Sequence, residues 1–390
     1  METRIDGPMQ SGKRRRGVGR VRGGRAVPAA TLLLSALALC LSVSESARAA
    51  GTVSPIKADE EVVFFPGFAT EVSPPSWAAY VHGWIFEPKG KPGQRATLDK
   101  LLRGKLNLTT EEFGSKYFRE RSQMFLVDNE RSKSLTVSVA GRTVTLTPSK
   151  ANGHFDDQIT LNLPPGKSGE WIEVRAVTRP GESRVFAGSI QLIGPRGVSV
   201  VSDIDDTIKI SNVLDKRELI ANTFAREFRA APGMADLYRA WAAGGNIVFH
   251  YVSGSPWQLY PALIDFTQRE GFPRGTFNFR QFRLKDESAV EFLENRTLEY
   301  KVGVIDTLMR RFPERQFVLV GDSGEKDPEV YRELASRFPN QVRAILIRDV
   351  RGEDLSSDRF VKLYEKLPGH ITRRVFRDTR ELADFRPQDR

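Results

Sequence analysis

Two rhythms of apolar and polar residues divide the chain. From about residue 51 to 195 the two kinds alternate with a period of two, in short runs closed by turn residues. LTVSVAGRTVTL, residues 135–146, alternates on both sides of Ala140-Gly141 and predicts a hairpin. ITLNL, EWIEVRAV and RVFAGSIQLI follow at short spacing, separated by Pro-Gly and Gly-Lys-Ser-Gly turns. EVVFFPGF and YVHGWIFEP are further strand candidates, each broken or ended by proline. One stretch at 109–126, TTEEFGSKYFRERSQMFL, reads as an amphipathic helix set among them. The pattern predicts a β-sandwich-like accessory domain.

After Gly194-Pro195 the rhythm changes. Short apolar runs now alternate with helical stretches: VSVVSD, a helix-rich segment to Trp241, NIVFHYVSGS, a helix from Pro256, FRQFRL, a helix through Lys301, QFVLVGDSG, a helix from Pro328, and VRAILIRDV. Such alternation predicts an α/β domain with a parallel sheet covered by helices on both faces. Ligands in such domains bind beyond the carboxyl ends of the strands. The segment between Thr207 and Trp241 predicts a small helical cap. Within it Phe224 and Phe228 stand four apart on one helical face, beside Arg226 and Arg229 and downstream of Lys216 and Arg217. That pattern fits a helix packed on the core, or an entrance that receives an acyl chain or headgroup.

Composition narrows the possibilities. The chain has 390 residues and a formal charge of +10, of which +6 lies in residues 1–50, with nine Lys/Arg against three Asp/Glu. The remaining +4 suits anionic substrates or surfaces and gives no reason to expect a nucleic-acid partner. In residues 1–50 a basic stretch, KRRRGVGRVRGGR, precedes the apolar run AVPAATLLLSALALCLSV and the small-x-small triplet Ala47-Arg48-Ala49. That order predicts a cleaved signal peptide and export to the periplasm or medium, with an uncleaved anchor as the alternative. The domain expectation is therefore 1–50 signal peptide, 51–195 β-rich accessory domain and 196–390 catalytic domain. Cys40, the one cysteine, lies in the leader, so disulfides, thiolate zinc sites and cysteine nucleophiles are excluded from the processed chain. The four histidines, His82, His154, His250 and His370, are far apart in sequence and share no metal-ligand spacing. No further apolar run suggests a polytopic lipid phosphatase.

The stretch VSVVSDIDDTIK, residues 198–209, puts three carboxylates and a threonine at the mouth of a strand. A polar loop with Asp206 or Thr207 capping the next helix would explain it. A metal-assisted phosphoryl-transfer site would explain it equally, with one carboxylate attacking phosphorus and another handling the proton. Other strand ends carry matching chemistry. Ser253, Gly254 and Ser255 follow NIVFHYV, and Ser255-Pro256 reads as an N-cap with proline in the first turn, a setting that suits phosphate. Asp322 and Asp327 bracket the loop after QFVLV. Gathering so many carboxylates raises their pKa values or requires a cation among them. Their hard oxygens fit Mg²⁺. Lys301 could neutralise charge beside a phosphate, with Lys285 as its rival.

The order D-x-D-x-T, Ser, Lys, G-D-x-x-x-x-D resembles the haloacid dehalogenase superfamily of phosphohydrolases. SDIDDTIKISNV, YVSGSPWQLYP, GFPRG and FVLVGDSGEKDPEVY are similar to the actin-patch-associated phosphatidate phosphatase family, over roughly residues 197–350. The resemblance implies a nucleophile at Asp203, a general acid/base at Asp205, the motif threonine at Thr207, a phosphate-binding hydroxyl at Ser253 and a charge-neutralising lysine at Lys301. It implies metal-binding acids at Asp322 and Asp327, with Asp203 and the Asp205 carbonyl completing the set around Mg²⁺. Glycine at 254 departs from the asparagine more usual there. The expected activity is hydrolysis of phosphatidate to diacylglycerol and phosphate through an aspartyl-phosphate. The alternatives are hydrolysis of a soluble phosphomonoester, or an envelope binding protein with a degenerate phosphatase domain. Contact with a membrane surface is a further possibility, and no protein partner is identified.

Overall fold

The computed structural model describes residues 53–89, 108–164, 166–282 and 297–388. The expected leader and the rival lysine Lys285 lie outside these residues. Residues 61–193 build an eight-stranded mixed sheet. Its strands are β1 (Glu61–Ser73), β2 (Ser76–Glu87), β3 (Asp128–Asn129), β4 (Thr136–Val139), β5 (Arg142–Thr145), β6 (His154–Asn162), β7 (Trp171–Ala176) and β8 (Ala187–Ile193). They run in the order β3-β2-β1-β8-β7-β4-β5, with β6 paired to β2. The hairpin expected around Ala140-Gly141 is the β4–β5 pair, and both turn residues take positive φ.

The expected helix at 109–126 is two shorter ones, α1 (Thr110–Gly114) and α2 (Lys116–Gln123). Ser115 breaks them: its extended backbone leaves the helix, and its hydroxyl accepts from Phe118 N–H at 3.1 Å to start α2. The same hydroxyl donates to the Ala225 carbonyl at 2.7 Å, tying the helices to the segment expected to form a cap.

The second sheet has six strands, all parallel: β9 (Val198–Ser202), β10 (Ile247–Pro256), β11 (Gly275–Arg280), β12 (Gln316–Asp322), β13 (Val342–Arg348) and β14 (Thr372–Phe376). Their order is β11-β10-β9-β12-β13-β14. Between them stand α3 (Lys216–Phe224), α4 (Met234–Ala242), α5 (Tyr260–Arg269), α6 (Thr297–Arg311), α7 (Asp327–Arg337) and α8 (Asp358–Tyr364). The strand expected over FRQFRL lies earlier, over GTFNFR. Gly275 opens it opposite Phe249, where a Cβ would stand 2.5 Å from the Phe249 carbonyl oxygen. Only the bare glycine permits that approach, which sets the register.

β9 is buried along its whole length at the middle of the sheet, and its loop emerges at the carboxyl end. One hydrophobic cluster joins Phe65, Trp84 and Phe118 to Val198, Val200 and Phe249, so the two sheets share a core. Phe65 stacks on Trp257 with 3.9 Å between ring centres. Buried Arg315 donates to the carbonyls of Gly194 and Val198 at 3.1 and 2.7 Å, fixing the chain where it passes between the sheets. The described residues between 53 and 388 pack as one compact unit. No helix among the described residues is long and apolar enough to cross a membrane.

Candidate active site

Asp203 leaves β9 with its N–H still donated to the Val320 carbonyl of β12 at 2.9 Å. Strand pairing thus carries its side chain to the carboxyl edge of the sheet, where β12 ends in Asp322 and α7 begins at Asp327. These three buried aspartates place carboxylate oxygens within 4.8 Å of one another. Lys301, from α6, enters the group: its ammonium donates to Asp203 Oδ1 at 2.7 Å, Asp327 Oδ1 at 2.5 Å and Glu325 Oε2 at 2.9 Å. Asp322 Oδ1 accepts from the N–H groups of Gly324 and Glu325 at 2.6 and 3.0 Å. A Cβ at Gly324 would lie 2.9 Å from that oxygen and 2.5 Å from Val213 Cγ2, so the turn needs glycine.

The electrostatics are unbalanced. Burial raises the Asp203 carboxyl well above the usual range, with Lys301 opposing and Asp327 and Glu325 adding to the rise. Burial raises Asp322 in the same way, and Asp327 and Glu325 reinforce it. Burial works against the Lys301 charge, but Asp203, Asp327 and Glu325 outweigh it and hold its pKa well above the ordinary value. Asp203 Oδ2 and Asp322 Oδ2 are buried with no hydrogen-bond partner. Two orphaned anionic oxygens beside a third carboxylate, all hard donors, fit a divalent cation such as Mg²⁺.

Asp205 stands apart from this trio. Its Oδ1 accepts from Lys209 Nζ at 2.8 Å and Ser211 Oγ at 2.7 Å. Its Oδ2 faces the hydroxyls of Ser253 at 3.2 Å and Ser255 at 3.4 Å. Burial pushes Asp205 up, but the charge and hydrogen bond of Lys209 and the Ser211 hydroxyl hold it below the usual range. Its carboxylate lies outside the Asp203–Asp322–Asp327 group, and the sequence expectation gave Asp205 to the metal through its backbone carbonyl.

Other expectations need correction. Ser255 does not cap a helix: β10 continues to Pro256, a 3₁₀ turn starts at Trp257, and Ser255 N–H donates to Ser253 Oγ at 3.0 Å. Gly254 lies between the two serines on β10. Asp206 does not cap a helix either. At φ 52° it turns the loop, accepting from the N–H groups of Ser211, Asn212 and Val213 at 2.8, 3.0 and 2.6 Å. Asp215 caps α3 instead. The Thr207 hydroxyl is buried without a partner. Phe224 and Phe228 are buried in the core, but they do not share a helical face: α3 ends at Phe224, and Phe228 lies in the non-helical segment after it. The Arg121 guanidinium of α2 covers the Phe228 ring at 3.6 Å and donates to the Thr223 and Arg226 carbonyls at 3.0 and 2.7 Å. Arg226 pairs with Glu112 and Glu218, both at 2.6 Å.

The sequence pattern does not mark Glu325, Lys209 and Ser211 as a group. The one legible signal was Lys209, a lysine between Ile208 and Ile210 four residues after Asp205. Nor does the pattern show that β2 and β6 bring His82 and His154 together, 3.1 Å between ring nitrogens. Burial lowers the His82 imidazole to about 4, and His154 stacks with Phe65 and Trp84.

Residues 198–349 match the family model described as phosphatidate phosphatase APP1, catalytic domain. Over 159 residues the chain is 34% identical to phosphatidate phosphatase APP1 of Saccharomyces cerevisiae, covering 40% of this chain and 26% of that protein. Over 174 residues it is 30% identical to an uncharacterized protein of Schizosaccharomyces pombe, covering 44% and 28%. The matched segment thus spans roughly a quarter of the length of these curated relatives. A sialyltransferase structure from Photobacterium sp. is 11% identical over 53% of this chain and 34% of its own, with a TM-score of 0.20, a likeness that carries no argument.

Proposed function

From the similarity of residues 198–349 to the phosphatidate phosphatase APP1 catalytic domain, we propose that the protein is a Mg²⁺-dependent phosphomonoester hydrolase of that family acting on phosphatidate. The observation that carries the reading is the buried Asp203–Asp322–Asp327 group with its two orphaned oxygens and its single clustered lysine. On this reading the parallel sheet is a haloacid dehalogenase-like core, the residues after Thr207 are its cap, and the mixed sheet is a sandwich-like accessory layer. The leader pattern supports export.

Asp203, Asp322 and Asp327 would hold the cation, with the Asp205 carbonyl as a further ligand; when bound it offsets phosphate charge. An Asp203 carboxylate oxygen attacks phosphorus, the bond from phosphorus to the leaving oxygen breaks, and that oxygen takes a proton from Asp205. Water then attacks phosphorus and gives a proton to Asp205, and the bond from phosphorus to Asp203 breaks. The products are the alcohol, inorganic phosphate and the restored carboxylate. Asp205 takes the proton of the first step from the incoming phosphomonoester monoanion and passes the proton gained from water to the departing phosphate, so it ends each turnover ionised as it began. Lys301 balances charge at the nucleophile, and Ser253 and Thr207 offer hydroxyls to the transferring oxygens.

The buried positions of Phe224 and Phe228 favour a second reading, a soluble phosphomonoester as substrate. A phosphate-release panel on purified protein, with phosphatidate in micelles beside soluble esters, decides between them. Release from phosphatidate well above every soluble ester supports the first reading. The reverse order supports the second, and no release from any ester refutes both.

A further inference from the structure

Lys209 has no place in the chemistry described so far, yet its surroundings are as closely built as those of the clustered acids. It is 1% exposed. A lysine normally keeps its ammonium in water, so full burial has to be offset by a specific partner. That partner is Asp205, with Nζ 2.8 Å from Oδ1. The ammonium also contacts Ser211 Oγ, which itself donates to Asp205 Oδ1 at 2.7 Å. On another side stands the Phe228 ring, its centre 4.9 Å from Nζ. The Arg121 guanidinium covers the same ring. The backbone is held as tightly: Lys209 N–H donates to Ile204 O at 2.9 Å, and Lys209 O accepts from Asp206 N–H at 2.7 Å. Bridges pair Lys209 with both Asp205 and Ala230.

The two oxygens of Asp205 are divided by this arrangement. Oδ1 is taken by Lys209 and Ser211, while Oδ2 faces Ser253 and Ser255 at the end of β10. We infer that Lys209, supported by Ser211, is a positioning residue that locks the rotation of the Asp205 carboxylate and presents Oδ2 to the transferring group. In this role Lys209 acts through Asp205. The inference rests on the proposed phosphatase mechanism, in which Asp205 gives a proton to the leaving oxygen and later takes one from water.

A misaimed Asp205 harms the two steps differently, according to the leaving group. p-Nitrophenolate departs without a proton, so its release needs Asp205 little, whereas attack by water on the aspartyl-phosphate needs it fully. Stopped-flow hydrolysis of p-nitrophenyl phosphate by full-length Lys209→Met is therefore expected to show a burst approaching one p-nitrophenolate per active site. The steady state after it falls at least about tenfold below wild type, within the usual reach of general base catalysis. Acid quenching during turnover should recover phosphate covalently bound to protein. With phosphatidate in micelles, whose leaving alcohol does need the proton, the variant shows no burst and a deeper loss. Ser211→Ala gives the same pattern more weakly, and decides the matter if Lys209→Met does not fold. An equal loss on both substrates, without a burst and with a lower melting temperature, would make Lys209 merely structural and overturn the inference. So would unchanged kinetics in a folded variant. A wild-type protein inactive on both esters overturns the underlying phosphatase reading instead, and the inference with it.

Discussion

Replacing Lys301 with methionine removes the positive charge at the centre of three buried aspartates and the half-buried Glu325. Lys301 is 1% exposed and reaches Asp203, Glu325 and Asp327 at 2.7, 2.9 and 2.5 Å. Methionine is close in volume, so little of the effect comes from a cavity. Removing one partner of a buried ion pair costs roughly 3–5 kcal/mol, because the other charge is left without compensation. That is a large part of the ~5–15 kcal/mol that holds a typical domain together. The sign of the pH dependence follows from the directions of the shifts. Asp203, Asp322 and Glu325 have carboxyls raised in the folded state. Such groups contribute stability that is fully present below the ordinary carboxylate pKa of about 4 and is lost as pH rises through their folded values. Lys301 is raised as well, so it stays protonated across that window and offsets the loss in the wild type. The variant lacks the offset. Urea unfolding in EDTA should therefore show a difference of at least about 3 kcal/mol at pH 8, shrinking to less than about half of that near pH 4.5. Mg²⁺ at 100 times its dissociation constant should return about 2.7 kcal/mol to either protein. A difference below about 1 kcal/mol at pH 8, or one that is the same at both pH values, refutes the charge balance described for the site.

Three further outcomes are expected. Asp203→Asn keeps the fold by circular dichroism and loses roughly 10³-fold or more in turnover; retention of a tenth of wild-type activity contradicts the nucleophile assignment. EDTA abolishes activity and Mg²⁺ restores it, whereas Zn²⁺ restores it poorly because the donors are hard oxygens; full turnover in metal-free buffer contradicts the mechanism. Phe228→Ala destabilises by about 3–5 kcal/mol, since it empties a core position between Arg121 and Lys209. Hydrolysis of phosphatidate and p-nitrophenyl phosphate should fall together in that variant, and a selective loss on phosphatidate would restore the lipid-entry reading.

Periodicity by itself determined most of the succession of strands and helices, though not the break at Ser115 or the place of β11, because the spacing of apolar residues fixes which face of each element is buried. It placed Asp203, Ser253 and Asp322 at the carboxyl ends of neighbouring parallel strands, where sheet topology brings them together whatever the intervening segments do. What covers each buried face was not legible. Phe224 and Phe228 have a periodicity that serves a core or an entrance equally, and the docking of α2, more than a hundred residues away in sequence, decided for the core. The aim of each charge was decided the same way. Lys301 meets Asp203 across 98 residues, and Asp205, only two residues from Asp203, turns instead to Lys209 and the β10 serines. Local sequence states which ionisable groups are present. Their partners are chosen when burial strips water from them, and each charge must then settle against whichever opposite charge or hydroxyl the packed chain has carried within reach.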